Sequence, residues 1–226
     1  MGSNRYQLEK LRFFNSRNGR LLLWLGTSLL MSGLFVKITW ELHEGPVLNS
    51  LDEQILRFIA LLRSDYLTIW AVDMTAFGSP TVLTIVTAIG LTVLSLNRDK
   101  AGFFYLVTGA IGAALGTALL KGLFTRPRPT VIPRLVEVSG FSYPSGHSFA
   151  SASIYLVLMF LVWRNYPSWR SRGILAFCTA VVIGGVAASR LYLGVHYPSD
   201  VLSGVLLGGA WACLLGAVFL FRPDTP

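Results

Sequence analysis

Charge is scarce in this chain: 13% of its 226 residues are Asp, Glu, Lys or Arg, about half the share found in soluble domains. With 53% of the residues hydrophobic, so few charged groups cannot cover a water-facing surface, which excludes a soluble globule and makes lipid the expected solvent for most of the chain. Cysteine is nearly absent. The pair present, Cys178 and Cys213, falls inside apolar runs, where small buried hydrophobes are expected and a disulfide or metal pair is not. Histidine is equally sparse, with three residues, His43, His147 and His196. There is no low-complexity tract and no internal repeat.

What is present is a series of runs long enough to cross a bilayer, about 20 residues each. They fall at Leu21–Trp40, Thr81–Leu96, Ala101–Leu120, His147–Trp163, Gly173–Ser189 and Ser199–Phe221. The expected fold is all-α: a single polytopic membrane domain over residues 1–226, with six transmembrane helices and one or two outer interfacial helices. Residues 41–80 form the outer interfacial segment. Within it Leu51, Ile55, Leu56, Ile59 and Leu62 share one helical face behind a capping box at Ser50-Leu51-Asp52-Glu53. Asp65–Phe77 is expected as a second interfacial or re-entrant helix, with a seventh span as the alternative.

The net charge of +8 is sorted, not spread, so membrane lipids and no nucleic acid are the expected partners. With both termini cytoplasmic, the inner segments hold Arg5, Lys10, Arg12, Arg17, Arg20, Arg98, Lys100, Arg164, Arg170, Arg172 and Arg222 against Glu9, Asp99 and Asp224. Residues 1–20 form the cytoplasmic basic segment, and the first run serves as a retained signal anchor. Lys37 is expected to snorkel outward. Gly112–Gly116 and Gly204–Gly208 pair small residues four apart, as close helix packing requires.

Under this topology the polar residues that composition cannot explain gather at the outer ends of the last four spans. Lys121, Arg126 and Arg128 end one; Pro144-Ser145-Gly146-His147 opens the next; Ser189-Arg190 ends another; His196 and Asp200 open the last. Ionisable groups there are costly and more often serve a site than a fold. Lys121, Arg128 and Arg190 supply positive charge suited to an anion with several oxygens, and Ser145 and Gly146 add backbone N–H groups where a helix begins. His196 and Asp200 are four apart, one helical turn, so the carboxylate can orient the ring and leave its other nitrogen free as a nucleophile. His147 is available as general acid. A metal site from His147, His196 and Asp200 is disfavoured because the surrounding cations would repel it. His43 is expected as surface decoration, and Arg57 as a snorkelling anchor.

The ordered set Lys121-Gly-Leu-Phe-Thr-Arg-Pro-Arg128-Pro129, Pro144-Ser145-Gly146-His147 and Ser189-Arg190-x5-His196-x3-Asp200 resembles the three-part signature of the type 2 phosphatidic acid phosphatase superfamily. All three parts match, in order, over residues 121–200. The resemblance implies a membrane lipid phosphatase needing no metal or organic cofactor. In it His196 forms a phosphohistidine, Asp200 orients His196, and His147 protonates the leaving group. Lys121, Arg128, Ser145, Gly146 and Arg190 would hold the phosphoryl oxygens, with Ser189 in support. Arg126, Arg134 and Tyr143 are candidates for headgroup or second-phosphate contacts, with interfacial anchoring the equal alternative. The implied substrate is a lipid phosphate or diphosphate: undecaprenyl diphosphate first, phosphatidylglycerol phosphate second, lipid A or phosphatidic acid as alternatives. The implied location is a bacterial inner membrane with the site on the periplasmic face. A vanadate-dependent haloperoxidase shares the signature but is soluble; a non-catalytic lipid-binding or flipping protein would not need the His–Asp pair.

Overall fold

Serine, aspartate and proline punctuate the apolar runs, and the helices begin where they stand. The computed structural model describes residues 17–165 and 168–219; the expected basic residues Arg5, Lys10, Arg12 and Arg222 lie outside them. Among the described residues there are eight helices and no strand: α1 (Arg17–Glu44), α2 (Pro46–Leu61), α3 (Asp65–Ala76), α4 (Pro80–Leu96), α5 (Lys100–Phe124), α6 (Gly146–Trp163), α7 (Trp169–Tyr192) and α8 (Pro198–Phe219). The Ser64, Ser79, Asp99 and Ser145 side chains each accept a backbone N–H from the first turn of the helix they precede. Pro46, Pro80 and Pro198 fill first helical positions, where no N–H is needed.

The expected capping box at Ser50 does not form. Pro46 starts α2 a turn earlier, behind Gly45, so Ser50 lies within the helix and accepts a hydrogen bond from Gln54 Nε2 at 3.0 Å.

α1, α5, α6, α7 and α8 are each long and apolar enough to cross a membrane, and the chain is a multi-pass membrane protein. α4, at 17 residues, lies at the short limit for a crossing, so the expected span over Thr81–Leu96 is not established by α4 alone. It qualifies only with α3, from which it is bent by 45°. The bend follows from Ser79-Pro80: proline cannot donate to the preceding turn, and Ser79 caps the new helix instead. α3 is also docked on protein. Ala71 clusters with Tyr192, Leu193 and Val195, and the Tyr192 hydroxyl accepts from Ser64 N–H at 2.9 Å.

α8 is the central helix, packed chiefly against α6 and α1, and its glycines set the approach. A Cβ at Gly204 would lie 2.5 Å from the Ser145 carbonyl oxygen, and one at Gly208 2.6 Å from that of Phe149. The Gly112–Gly116 pair likewise admits Trp211 and Phe149. Cys213 is buried as expected, but Cys178 is exposed. It lies on the outward stripe of α7 with Ile174, Phe177 and Val181, the face a bundle presents to lipid.

If this seam sets the α6–α8 distance, Gly208→Ala should destabilise the protein by about 1–3 kcal/mol through overpacking. Gly33→Ala, where a Cβ meets nothing within 4 Å, should be neutral or stabilising by up to about 1 kcal/mol. Thermal unfolding in detergent reads both; equal midpoints would contradict the seam.

Candidate active site

Four helix ends meet at one end of the bundle because the connections fold back across it. α5 stops at Thr125, whose φ of 43° lies in the left-handed region, and the chain then turns across the bundle. Ser142 N–H donates to the Arg126 carbonyl at 2.8 Å, and Ser145 N–H donates to the Asp200 carbonyl at 3.0 Å, tying the start of α6 to that of α8. After α7, Gly194 takes a φ of +72°, a turn open to glycine, and His196 follows directly ahead of α8.

His196 is 2% exposed and Asp200 has no exposed surface. Asp200 is the third residue of α8 and reaches back over its start: Oδ2 accepts from Tyr197 N–H at 2.9 Å and faces His196 Nδ1 at 3.3 Å. This is half of a capping box, formed from the carboxylate side. With Nδ1–H donating to the carboxylate, Nε2 keeps its lone pair, and Arg128 Nη1 stands 3.4 Å from it. Burial pushes the His196 pKa down to about 4 against the pull of Asp200, with Arg190 and Arg128 adding to the fall. The ring is therefore neutral at physiological pH, as a nucleophile must be.

Around Nε2 lies a cavity of about 760 Å³. Its polar end is lined by Lys121, Arg128, Gly146, His147, Arg190 and His196, and the rest by Leu83, Thr87, Leu91, Ala110, Ala114 and Ile154 from α4, α5 and α6. Carbonyl oxygens hold the cations in place. Lys121 Nζ donates to Phe141 at 2.6 Å, and Arg128 donates to Gly140, Ser139 and Val195 at 2.9–3.0 Å. Arg190 is 4% exposed; Nη1 donates to Thr75 Oγ1 at 2.6 Å, while its buried Nε has no partner. The Arg190 side chain lines the cavity, and a guanidinium there suits an incoming anion. Gly146 lets the backbone close on α5, since a Cβ there would come within 2.8 Å of Thr117 Cγ2. Half-buried His147 stands opposite the bend between α3 and α4, where a Cβ on Gly78 would come within 3.2 Å of it.

Not every expected site residue faces this cavity. Ser145 is fully buried, and its hydroxyl oxygen accepts from Ser148 N–H and Ser148 Oγ at 3.4 and 3.0 Å, so its side chain is spent on the cap. Ser189 donates to the Val186 carbonyl at 2.7 Å. The headgroup candidates lie elsewhere. Tyr143 is 1% exposed and hydrogen-bonds Thr39 and Ser203. Arg134 is exposed, with Nε donating to the Pro129 carbonyl at 3.1 Å. Arg126 turns away from the cavity toward carboxylates: Nη1 meets Asp200 Oδ1 at 2.6 Å and Nη2 meets Asp52 Oδ2 at 2.8 Å. Sequence reasoning missed Asp52, Ser199, Thr75 and Glu137 as neighbours of the site. For Asp52 a signal existed, because it stands four residues before Leu56 on the apolar face of α2. Among the described residues no cluster of three His, Cys, Asp or Glu is arranged to hold a metal ion.

Residues 102–223 match the family model of the PAP2 superfamily. The chain belongs to that superfamily. A phosphatidylglycerophosphatase B from Bacillus subtilis is 31% identical over 77% of this chain and 85% of its own length. A decaprenylphosphoryl-5-phosphoribose phosphatase from Mycobacterium tuberculosis is 29% identical over 63% of this chain and 75% of its own. Among solved structures, a transmembrane PAP2-type phosphatidylglycerolphosphate phosphatase from Bacillus subtilis superposes with a TM-score of 0.82 at 25% identity, over 88% of this chain and 99% of that one. These PAP2 relatives are phosphatases of lipid phosphates.

The titration of His196 carries a kinetic expectation. Its pKa is lowered, so the neutral form persists as pH falls and is lost only on passing about 4. Once corrected for substrate ionisation, kcat/KM should show no acid limb from His196 between pH 7 and about 5 and should fall near 4. A limb near 6.5 that vanishes in Asp200→Asn would contradict this.

Proposed function

We propose that this PAP2 protein is a lipid phosphatase of a bacterial inner membrane, working through a phosphohistidine on His196. The observation that carries the reading is the neutral His196, held by Asp200 at Nδ1 with Nε2 beside the Arg128 guanidinium, at the polar end of a cavity whose other end is apolar. A phosphate would sit among Lys121, Arg128 and Arg190, its lipid tail in the slot between α4, α5 and α6. Nε2 attacks phosphorus, the bond to the leaving oxygen breaks, and His147 gives that oxygen its proton. Water then attacks phosphorus, His147 takes the proton, the phosphorus–nitrogen bond breaks and inorganic phosphate departs. The positive charge for the transition state comes from the Lys and Arg side chains and the Gly146 backbone, so the scheme needs no metal.

Counting α3 and α4 as one broken span gives six crossings, with both termini on the cytoplasmic side. Arg98, Lys100 and Arg164 then mark the inner face, and the site lies at the outer one. The names of the relatives favour phosphatidylglycerol phosphate over undecaprenyl diphosphate, the reverse of the sequence expectation. The decaprenyl-linked relative keeps polyprenyl phosphates as the next class.

The test is phosphate release by purified protein across phosphatidylglycerol phosphate, phosphatidic acid and undecaprenyl mono- and diphosphate. At least one should turn over in the presence of a chelator, and His196→Ala should lose about 10⁴-fold or more in kcat while remaining folded. Full turnover by that variant, or activity abolished by chelation and restored by one divalent ion, would sink the mechanism.

A further inference from the structure

Asp52 is 1% exposed, yet it sits on α2, which carries no part of the signature. Its Oδ1 accepts from Ser199 N–H at 2.9 Å; Oδ2 accepts from the Ser199 hydroxyl and from Arg126 Nη2 at 2.8 Å. The carboxylate therefore stands at the positive end of α8 and satisfies a backbone donor of its first turn. Arg126 is shared: its other amino group donates to Asp200 Oδ1 at 2.6 Å and Ser199 Oγ at 2.7 Å. Asn49 accepts from Nη2 at 3.0 Å, and the guanidinium lies 4.1 Å over the Tyr197 ring. A buried carboxylate is costly, and an apolar side chain would anchor α2 at less cost, as Leu56 does with no exposed surface.

The arrangement solves a problem at Asp200. A guanidinium left alone with a carboxylate tends to take both oxygens in a bidentate pair. Here that would draw Oδ2 away from His196 and spend the negative charge that must balance an imidazolium. By claiming one arm of Arg126, Asp52 leaves Asp200 a single arm, on Oδ1, and keeps Oδ2 turned to Nδ1. We propose that Asp52 is a positioning residue for the phosphatase reaction: it divides the Arg126 fork between two carboxylates and so holds Asp200 in register with His196. The inference rests on the phosphatase reading above.

The experiment compares wild type, Asp52→Asn, Arg126→Lys and the double variant as full-length protein, with phosphatidylglycerol phosphate and undecaprenyl diphosphate in mixed micelles. Asp52→Asn keeps an acceptor for Ser199 N–H but loses the charge. Its kcat should fall on the order of tenfold to a hundredfold, the usual scale for slight misplacement of a reacting group, with KM and the inhibition constant of inorganic phosphate within about threefold. Arg126→Lys, which cannot bridge two carboxylates, should lose a similar factor in kcat, and the double variant should be little worse than either single one. Asp52→Glu should recover part of the loss. If Asp52→Asn is not recovered from membranes, the kcat and KM of Arg126→Lys decide: a raised KM with unchanged kcat would make Arg126 a headgroup contact and overturn the proposal. Wild-type turnover with Asp52→Asn at undiminished kcat, or strictly multiplicative losses in the double variant, would overturn it and leave the phosphatase reading standing. Absence of phosphate release by wild type would overturn both.

Discussion

The Asp200 carboxylate has no exposed surface and is tolerable only because donors reach it from three directions: the His196 ring, the Tyr197 backbone and Arg126. Each donor belongs to a different structural decision. Tyr197 N–H is available because Pro198 starts α8 directly after it. The ring arrives because Gly194 turns the chain at the end of α7. Arg126 arrives because Thr125 ends α5 in a left-handed conformation. The Asp200 carbonyl in turn accepts Ser145 N–H, so the same residue fixes where α6 begins and where Gly146 and His147 stand. Chemistry and fold therefore converge on one residue at one helix start.

That convergence requires α6 and α8 to lie close along their length. Lipid tails are as apolar as the helix surfaces, so no hydrophobic drive brings two membrane helices together; contact and polar bonds must do it. Gly204 and Gly208 bring the α8 backbone against α6 just below Ser145. Tyr105 Oη then donates to the Ala212 carbonyl at 2.8 Å and Ser153 Oγ to that of Gly109 at 2.9 Å, binding α5 to both. A shift of this seam would move Ser145 relative to Asp200, and with it His147 two residues further on.

The signature residues were legible in the sequence for a physical reason: a Lys, Arg, His or Asp at a membrane span end is expensive, so its presence needs an explanation. Lys121, Arg128, His147, Arg190, His196 and Asp200 stood out in that way, and the small-residue pairs of α5 and α8 were legible from spacing alone. Asp52 left only a faint signal, its place on the apolar face of α2, because its partners stand 74 and 147 residues away, and one-dimensional patterning offered the local alternative of a capping box. Arg126 and Tyr143 could be read from the sequence as headgroup contacts or as interfacial anchors, for a related reason. Position near a span end does not say which way a side chain turns, and both turn into the protein to meet polar partners. The bend between α3 and α4 was half legible. Ser79-Pro80 marked a break, but whether the helices on either side behave as one unit depends on the docking of α3 against α7.

Lys121, Arg128 and Arg190 repel one another, and gathering them at the mouth of an apolar slot would be unfavourable without compensation. The carbonyls of Ser139, Gly140, Phe141 and Val195, with Thr75 Oγ1, supply it. These are neutral acceptors, so they orient the cations without cancelling their charge. Asp52 and Asp200 are turned to the Nδ1 side of His196 and meet Arg126, while Glu137 lines the cavity together with the cations. The imidazole ring thus stands between Asp200 at Nδ1 and Arg128 at Nε2. On the proposed phosphatase reading, cations beside Nε2 would draw an anion to the ring while lowering its basicity, and Asp200 offsets part of that loss from the Nδ1 side.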